Sequence, residues 1–411
     1  MTTATDPITV TDPMTVMDTH QSARALALST VAFAISFAVW GMIAPMAKTF
    51  QTTLHLTEQQ VWLLIAVPVI LGSVIRLPMG MLADRYGGRL VFGCLLLFIS
   101  VPAFTLSYAH SYQALLLGGL ILGMAGTSFS VGVAFTSKWF PSEKQGLVLG
   151  VYGAGNIGQS LALFGIPLLA GVWGWQMTYR AFAMIALAYG IIFLLTARNA
   201  PMTVPPKPLG AMLKVLAENK LAWVLSLFYF VTFGGFVALG IGLPKLLQEI
   251  FGLAKQDAGL RVAGFVVVAT LMRPLGGWLS DRVGGAKLLI IVFAGAGLFA
   301  LGMTVPRMVP FTVGALGVAA FIGLGNGAVF KLVPQYFAKD TGTVTGLVGA
   351  MGGLGGFFPP LVLGVIKTQT GQYGLGFVFL AVFCFACLAI NWAVFLRGNG
   401  QPRVALVGAA R

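Results

Sequence analysis

The sequence predicts an all-α membrane protein: twelve transmembrane helices in two six-helix pseudo-symmetric bundles. Three observations carry that expectation. Of 411 residues, 58% are hydrophobic and 9% charged, with a mean hydropathy of +0.91, far from the composition of soluble domains. Apolar runs of roughly 18 to 25 residues recur along the chain, each about what a helix needs to cross ~30 Å of hydrocarbon. Two segments also return in the second half. "SVIRLPMGMLADRYGG" (73–88) reappears as "TLMRPLGGWLSDRVGG" (270–285) at an offset of 197, and "GLVLGVYGAGNIG" from Gly146 as "GTVTGLVGAMGGLGG" from Gly342 at an offset of 196. Apolar runs of this length exclude a barrel, whose strands alternate polar and apolar residues.

The elements follow in order. Residues 1–24 are polar, lack the basic start and cleavage site of a secretory signal, and read as a disordered cytoplasmic tail. A first bundle, 25–197, takes spans near 25–47, 60–81, 90–108, 112–138, 146–170 and 179–197. Residues 198–219, with "APMTVPPKPLG", read as a cytoplasmic linker. The second bundle, 220–396, takes spans near 220–244, 258–280, 287–305, 309–334, 343–367 and 372–396, and 397–411 form a cytoplasmic tail. An even number of spans puts both termini on one side. Fifteen lysines and arginines fall on that side against seven on the other, which makes it cytoplasmic. The expected location is a bacterial-type plasma (inner) membrane, with the lipid bilayer as surrounding. Net charge +14 serves this orientation, and the scattered basic residues give no nucleic-acid patch. Cys94, Cys384 and Cys387 lie in apolar segments and read as small hydrophobes, without a redox or metal role.

"GMLADRYGGR" resembles the loop G-x-x-x-D-R-x-G-x-R of the major facilitator superfamily, and "GWLSDRVGGAK" resembles its second-half copy, with Lys287 in the last basic place. The resemblance covers the whole chain. Within that superfamily, "GVYGAGNIG" and "GAMGGLGGFFPP" resemble the nitrate signatures of the nitrate/nitrite porter family, as does "SKWFPSEKQG". The resemblance implies secondary transport of nitrate, and of nitrite, by rocking of two halves around a midplane site. Proton-coupled uptake and nitrate/nitrite exchange both occur in that family. No ATP-binding loop is present, so the energy is expected from a gradient. No metal-ligand cluster and no His, Ser and acidic constellation lies in the spans, so neither an enzyme nor a cofactor is expected, and the protein is expected to be a monomer.

The residues themselves point to an anion. All eleven acidic residues fall in tails, loops or span ends, and the three histidines are peripheral. Arg76, Arg273 and Lys331 remain inside as cations without a carboxylate partner. Arg76 stands eight residues before Asp84 and Arg273 eight before Asp281, about 12 Å into the membrane at the helical rise. An arginine at that depth costs on the order of 2.5 to 3.5 kcal/mol on insertion scales and usually faces a cavity. Its planar fork suits a small oxyanion, so the two arginines are expected to bind substrate between them. Lys331, nearer the inner end, reads as a snorkelling side chain, a third cation on the path, or a proton-carrying group.

Helices 5 and 11 are dense in glycine, with Gly153, Gly155, Gly349 and Gly353 in the motifs. Such residues let membrane helices approach closely. Asn156 is the one amide among them and can donate to substrate oxygens; its aligned partner is Gly352. By resemblance, Phe129, Tyr229 and Phe233 match the aromatics that sandwich the porter family's anion. Asp84, Arg85, Asp281 and Arg282 are expected to bond helix ends and opposite-half carbonyls as a cytoplasmic gate. Two rival readings stand: a carrier of another small anion such as formate or oxalate, and a non-transporting anion sensor.

Overall fold

A computed structural model describes residues 19–201 and 208–397. Among them every regular element is a helix. The first half holds α1 (Thr19–Trp40), α2 (Ile43–Thr53), α3 (Glu58–Val74), α4 (Arg76–Tyr86), α5 (Gly88–Thr105), α6 (Tyr112–Leu122), α7 (Ser128–Ser137), α8 (Gln145–Gly153) and α9 (Ile157–Thr196). After α10 (Leu209–Glu218), the second half holds α11 (Lys220–Phe251), α12 (Lys255–Val283), α13 (Gly285–Gly302), α14 (Met308–Tyr336), α15 (Thr341–Thr370) and α16 (Gly374–Asn391). The start of α1 and the end of α9 lie together at one end of the bundle, called the base below.

In the first half several crossings are assembled from two pieces. α1 and α2 make the first, α3 and α4 the second, and α6 and α7 the fourth, with a 3-10 segment, Gly123–Thr127, between the last two. α8 runs through a 3-10 turn, Ala154–Asn156, into α9 to make the fifth. The break after Val74 has a local cause, since Pro78 lacks an N–H and its ring crowds the carbonyl four residues back. At 40 residues α9 is too long for one crossing. Gly174, with φ +77°, divides it into two. Ten stretches are long and apolar enough to cross a membrane among the described residues, and one of them, Ser142–Thr196, covers both the fifth and sixth crossings. α15, with 30 residues, is the eleventh crossing. The architecture is that of two six-helix halves.

The repeat is visible in backbone detail. Gly87 (φ +84°) and Gly284 (φ +91°) end α4 and α12 at matching places, in a conformation that side-chain-bearing residues avoid. Between the halves, α4 packs on α15 and α12 on α8. At both crossings backbone meets backbone: a Cβ on Gly80 would overlap the carbonyl of Gly342, and one on Gly277 that of Gly146.

One expected boundary changes. α1 starts at Thr19, before the expected end of the tail, because hydropathy marks only the part of a helix inside hydrocarbon; Ser22 and Ala25 are already buried against the bundle. The expected linker contains α10, which carries a Lys214–Glu218 pair at 3.5 Å. Residues 1–18, 202–207 and 398–411, including Lys207, lie outside the described part.

Candidate functional site

Arg76 opens α4 directly after the break and is 3% exposed. Its Nε donates to the carbonyl of Gly126 at 2.9 Å, in the 3-10 segment of the same half, and its Nη1 to that of Gly349 at 2.7 Å, across the interface on α15. Arg273, on α12, is 2% exposed. Its Nη2 donates to the Tyr229 hydroxyl at 3.2 Å, and its Nη1 has no hydrogen-bond partner among the described residues. Neither guanidinium has a carboxylate within ion-pair distance among the described residues. Both lie over the ring of Phe233, Arg76 at 5.2 Å and Arg273 at 5.8 Å from its centroid. The structure therefore brings the two arginines to one buried centre between the halves.

The glycine motifs make room for them. A Cβ on Gly349 would stand 3.1 Å from Arg76 Cδ, and one on Gly153 2.8 Å from Arg273 Nε. These two glycines are repeat partners, so each guanidinium lies against the opposite half at the same place. Gly155 packs on Phe33 and Gly353 on Ser73, which is helix packing without contact to either arginine.

The aromatics form one cluster. Phe129, at the start of α7, lies nearly parallel to Tyr229 (6.1 Å between centroids, 10°) and to Phe233 (6.4 Å, 11°) on α11. Arg273 sits 5.2 Å above the Phe129 ring, a cation–π placement. A planar group stacked between two rings needs about 3.5 Å on each side, so a small opening of these rings admits one. Asn156 is fully buried on its 3-10 turn, and neither its Nδ2 nor its Oδ1 has a partner among the described residues. Buried amides without partners are rare enough to call for an explanation.

Three neighbours were not singled out from sequence. Phe330 stands edge-on to both Phe129 and Tyr229 at 4.6 Å. Tyr152 stacks on Phe33 at 4.9 Å and donates its hydroxyl to the Ser128 carbonyl at 2.8 Å. Ser130, beside Gly349, is fully buried with an unpartnered hydroxyl. Tyr152 lies inside the motif "GVYGAGNIG" and Ser130 directly follows Phe129, the one signal that could have found them. Phe330, one of 31 phenylalanines, carried none.

At the base the two aspartates cap helices of the opposite half. Asp84 accepts from Gly342 N at 3.2 Å and from Thr343 N at 2.8 Å and Oγ1 at 3.2 Å, at the start of α15. Asp281 accepts from Gly146 N at 3.0 Å and Leu147 N at 2.8 Å, at the start of α8. Carboxylates are favoured at helix N-termini by the free N–H groups and the dipole. Of the arginines in these motifs, Arg85 lies over the ring of Tyr86 at 5.4 Å and Arg282 over that of Trp278 at 4.0 Å.

Lys331 corrects an expectation. It has a carboxylate partner, Asp281, at 2.8 Å, and its Nζ also donates to the carbonyl of Ser142 in the first half. Packing of α14 on α12 brings together two residues fifty apart in sequence, which a count along the spans cannot register. Asp84 has a different cation, Lys138 at 3.4 Å, with 37% of that side chain exposed.

The chain matches the model of the Major Facilitator Superfamily over residues 29–360 and 225–408. It is 41% identical over 366 residues to the "Nitrite extrusion protein" of Bacillus subtilis (strain 168), covering 89% of this chain and 92% of that one. It is 40% identical over 369 residues to the "Probable nitrate transporter NarT" of Staphylococcus epidermidis, covering 89% and 95%. Among solved structures, the human organic anion transporter MFSD10 (TETRAN) superposes with a TM-score of 0.74 at 15% identity over 90% of this chain and 99% of that one. The proton:xylose symporter XylE superposes at 0.76, with 14% identity over 91% and 96%; at such identities the likeness is one of fold. Twelve crossings in two repeated halves, the paired aspartate motifs at the base and these matches agree, and the chain belongs to the Major Facilitator Superfamily.

Proposed function

We propose that this protein is a secondary transporter of nitrate and nitrite that holds one anion between Arg76 and Arg273 and carries it across the bacterial-type plasma membrane by alternating access, as a monomer with both termini cytoplasmic. The observation that carries the reading is the pair of buried guanidiniums, neither matched by a carboxylate among the described residues, one with an N–H still undirected. The printed names of the relatives supply the anion: a nitrite extrusion protein and nitrate transporters.

In this reading Arg273 Nη1 and Asn156 Nδ2 donate to substrate oxygens. Phe129 faces Tyr229 and Phe233 across the anion's plane, and Arg76, fixed by two carbonyls, holds the positive field. The anion also changes the electrostatics of the move. An empty site confines two positive charges in a low-dielectric interior, and a bound anion offsets their repulsion, so the loaded carrier rocks more readily than the empty one. That favours nitrate/nitrite exchange; proton-coupled uptake requires a titrating group, for which Lys331, bonded to Asp281 and to the opposite half, is the candidate.

The test is flux in proteoliposomes of the purified chain. Nitrate uptake that saturates, is competed by nitrite and is lost in Arg273→Lys supports the reading. Larger flux of formate or oxalate, or nitrate binding without flux, overturns it. Counterflow with and without a pH gradient separates the couplings, since uptake into empty vesicles driven by inward protons excludes obligatory exchange.

A further inference from the structure

Far from the central site, at the base of the first half, a cavity of about 170 Å³ lies between the start of α1, the turn after α7 and the end of α9. Its polar lining is Gln21, Arg24, Trp139, Thr196 and Arg198. Two observations mark it as an anion site. Arg24 and Arg198 are exposed, and neither has a carboxylate partner among the described residues. Trp139 is 5% exposed, yet its indole N–H has no acceptor among the described residues; buried donors are rarely left so.

The second half shows that the cavity is not a by-product of the fold. The repeat offset of 197 puts Tyr336 in the place of Trp139. There the corner is filled, because Tyr336 packs on Phe395, near the end of the last crossing, at 5.9 Å. In the first half the last crossing ends in Thr196 and Ala197, and no aromatic among the described residues fills the space. Next to it α9 exposes Ile191, Ile192 and Leu195, the last at 77%, an apolar strip that hydrocarbon covers in a bilayer.

We propose that this cavity binds a phosphate group, with the headgroup of an anionic phospholipid as the source. Two guanidiniums and an indole N–H converge as donors on an oxyanion, the cavity has room for a phosphate with its glycerol, and the acyl chains lie along the exposed strip of α9. Basic pockets between membrane helices bind anionic headgroups by the same combination of charge and apolar surface.

The experiment uses the full chain purified in detergent, with phosphatidylglycerol, phosphatidylcholine and inorganic phosphate as probes. Native mass spectrometry and thermal unfolding are read together. Phosphatidylglycerol is expected to stay bound and raise the melting temperature, and phosphatidylcholine to do neither. The double variant Arg24→Gln/Arg198→Gln should lose about tenfold or more in phosphatidylglycerol retention, and Thr196→Phe, which fills the cavity and keeps both charges, should do the same. Lys339→Gln, a change to a different basic residue at the base, should leave it intact, and a single gel-filtration peak certifies folding in each variant. An equal melting shift from inorganic phosphate, lost in both variants, supports the site and assigns it to a free phosphate. Unchanged phosphatidylglycerol retention in both variants, equal retention of phosphatidylcholine, or no response to either phosphate source overturns the proposal.

Discussion

The two halves repeat in sequence but differ in how their helices cross the centre. In the first, breaks fall beside the candidate site residues: α3 gives way to α4 at Arg76, a 3-10 segment precedes Phe129, and another holds Asn156. In the second, α12, α14 and α15 run unbroken past Arg273, Phe330 and Gly349. The breaks expose backbone, and backbone is what fixes Arg76, through the carbonyl of Gly126. Arg273 has no such anchor; a single tyrosine hydroxyl steadies it. Internal duplication has thus kept the placement of the charges and divided their duties: the first half offers a rigid cation, the second an adjustable donor.

The strongest way to break this comparison is to exchange the guanidiniums. Arg76→Lys and Arg273→Lys should each reduce nitrate flux about 100-fold or more, since an ammonium cannot reproduce a two-point fork. Only Arg76→Lys should also lower the melting temperature, because it strips buried carbonyls of their donors at about 1–3 kcal/mol each. Equal melting losses for both would erase the distinction between rigid and adjustable arginine. At the base, Asp281→Asn leaves Lys331 buried and unpaired and should cost about 3–5 kcal/mol, read by denaturation in detergent. Asp84→Asn should cost less, since Lys138 reaches solvent. Adding Lys331→Met to Asp281→Asn should recover most of the loss, and failure to recover would mean the pair is not the source of the difference. Asn156→Ala should weaken nitrate binding by about tenfold, one charge-assisted or amide hydrogen bond, while raising the melting temperature, because two buried orphan atoms disappear. Smallest is Tyr229→Phe, which frees a second N–H of Arg273 and should raise the KM for nitrate by about fivefold at unchanged folding, near 1 kcal/mol for one neutral hydrogen bond.

Much of this architecture is legible in the sequence because lipid imposes it. Span lengths and the expected depth of Arg76 and Arg273 follow from hydropathy and helical rise, and the repeat from matching segments. The partners of those residues do not. Lys331 looks unpaired when charges are counted along spans, since its partner Asp281 arrives by the packing of α14 on α12. Arg85 and Arg282 share a motif with Asp84 and Asp281, and that the aspartates are the ones bonded to the opposite half's backbone is a matter of packing that periodicity does not encode. The helix breaks were signalled only in part, by Pro78 for α3 and by nothing before Phe129 and Asn156 except glycine density, which equally describes the unbroken α15.

The reciprocal aspartate caps at the base have a further consequence for the order of events. Each carboxylate grips the opposite half, yet one is backed by a solvent-facing lysine and the other by a lysine hidden alongside it. In the proposed transport cycle clasps of unequal strength are expected to release in turn, the Asp84 side first and the Asp281 side as a slower second step. The passage from shut to open is then a peel from one edge.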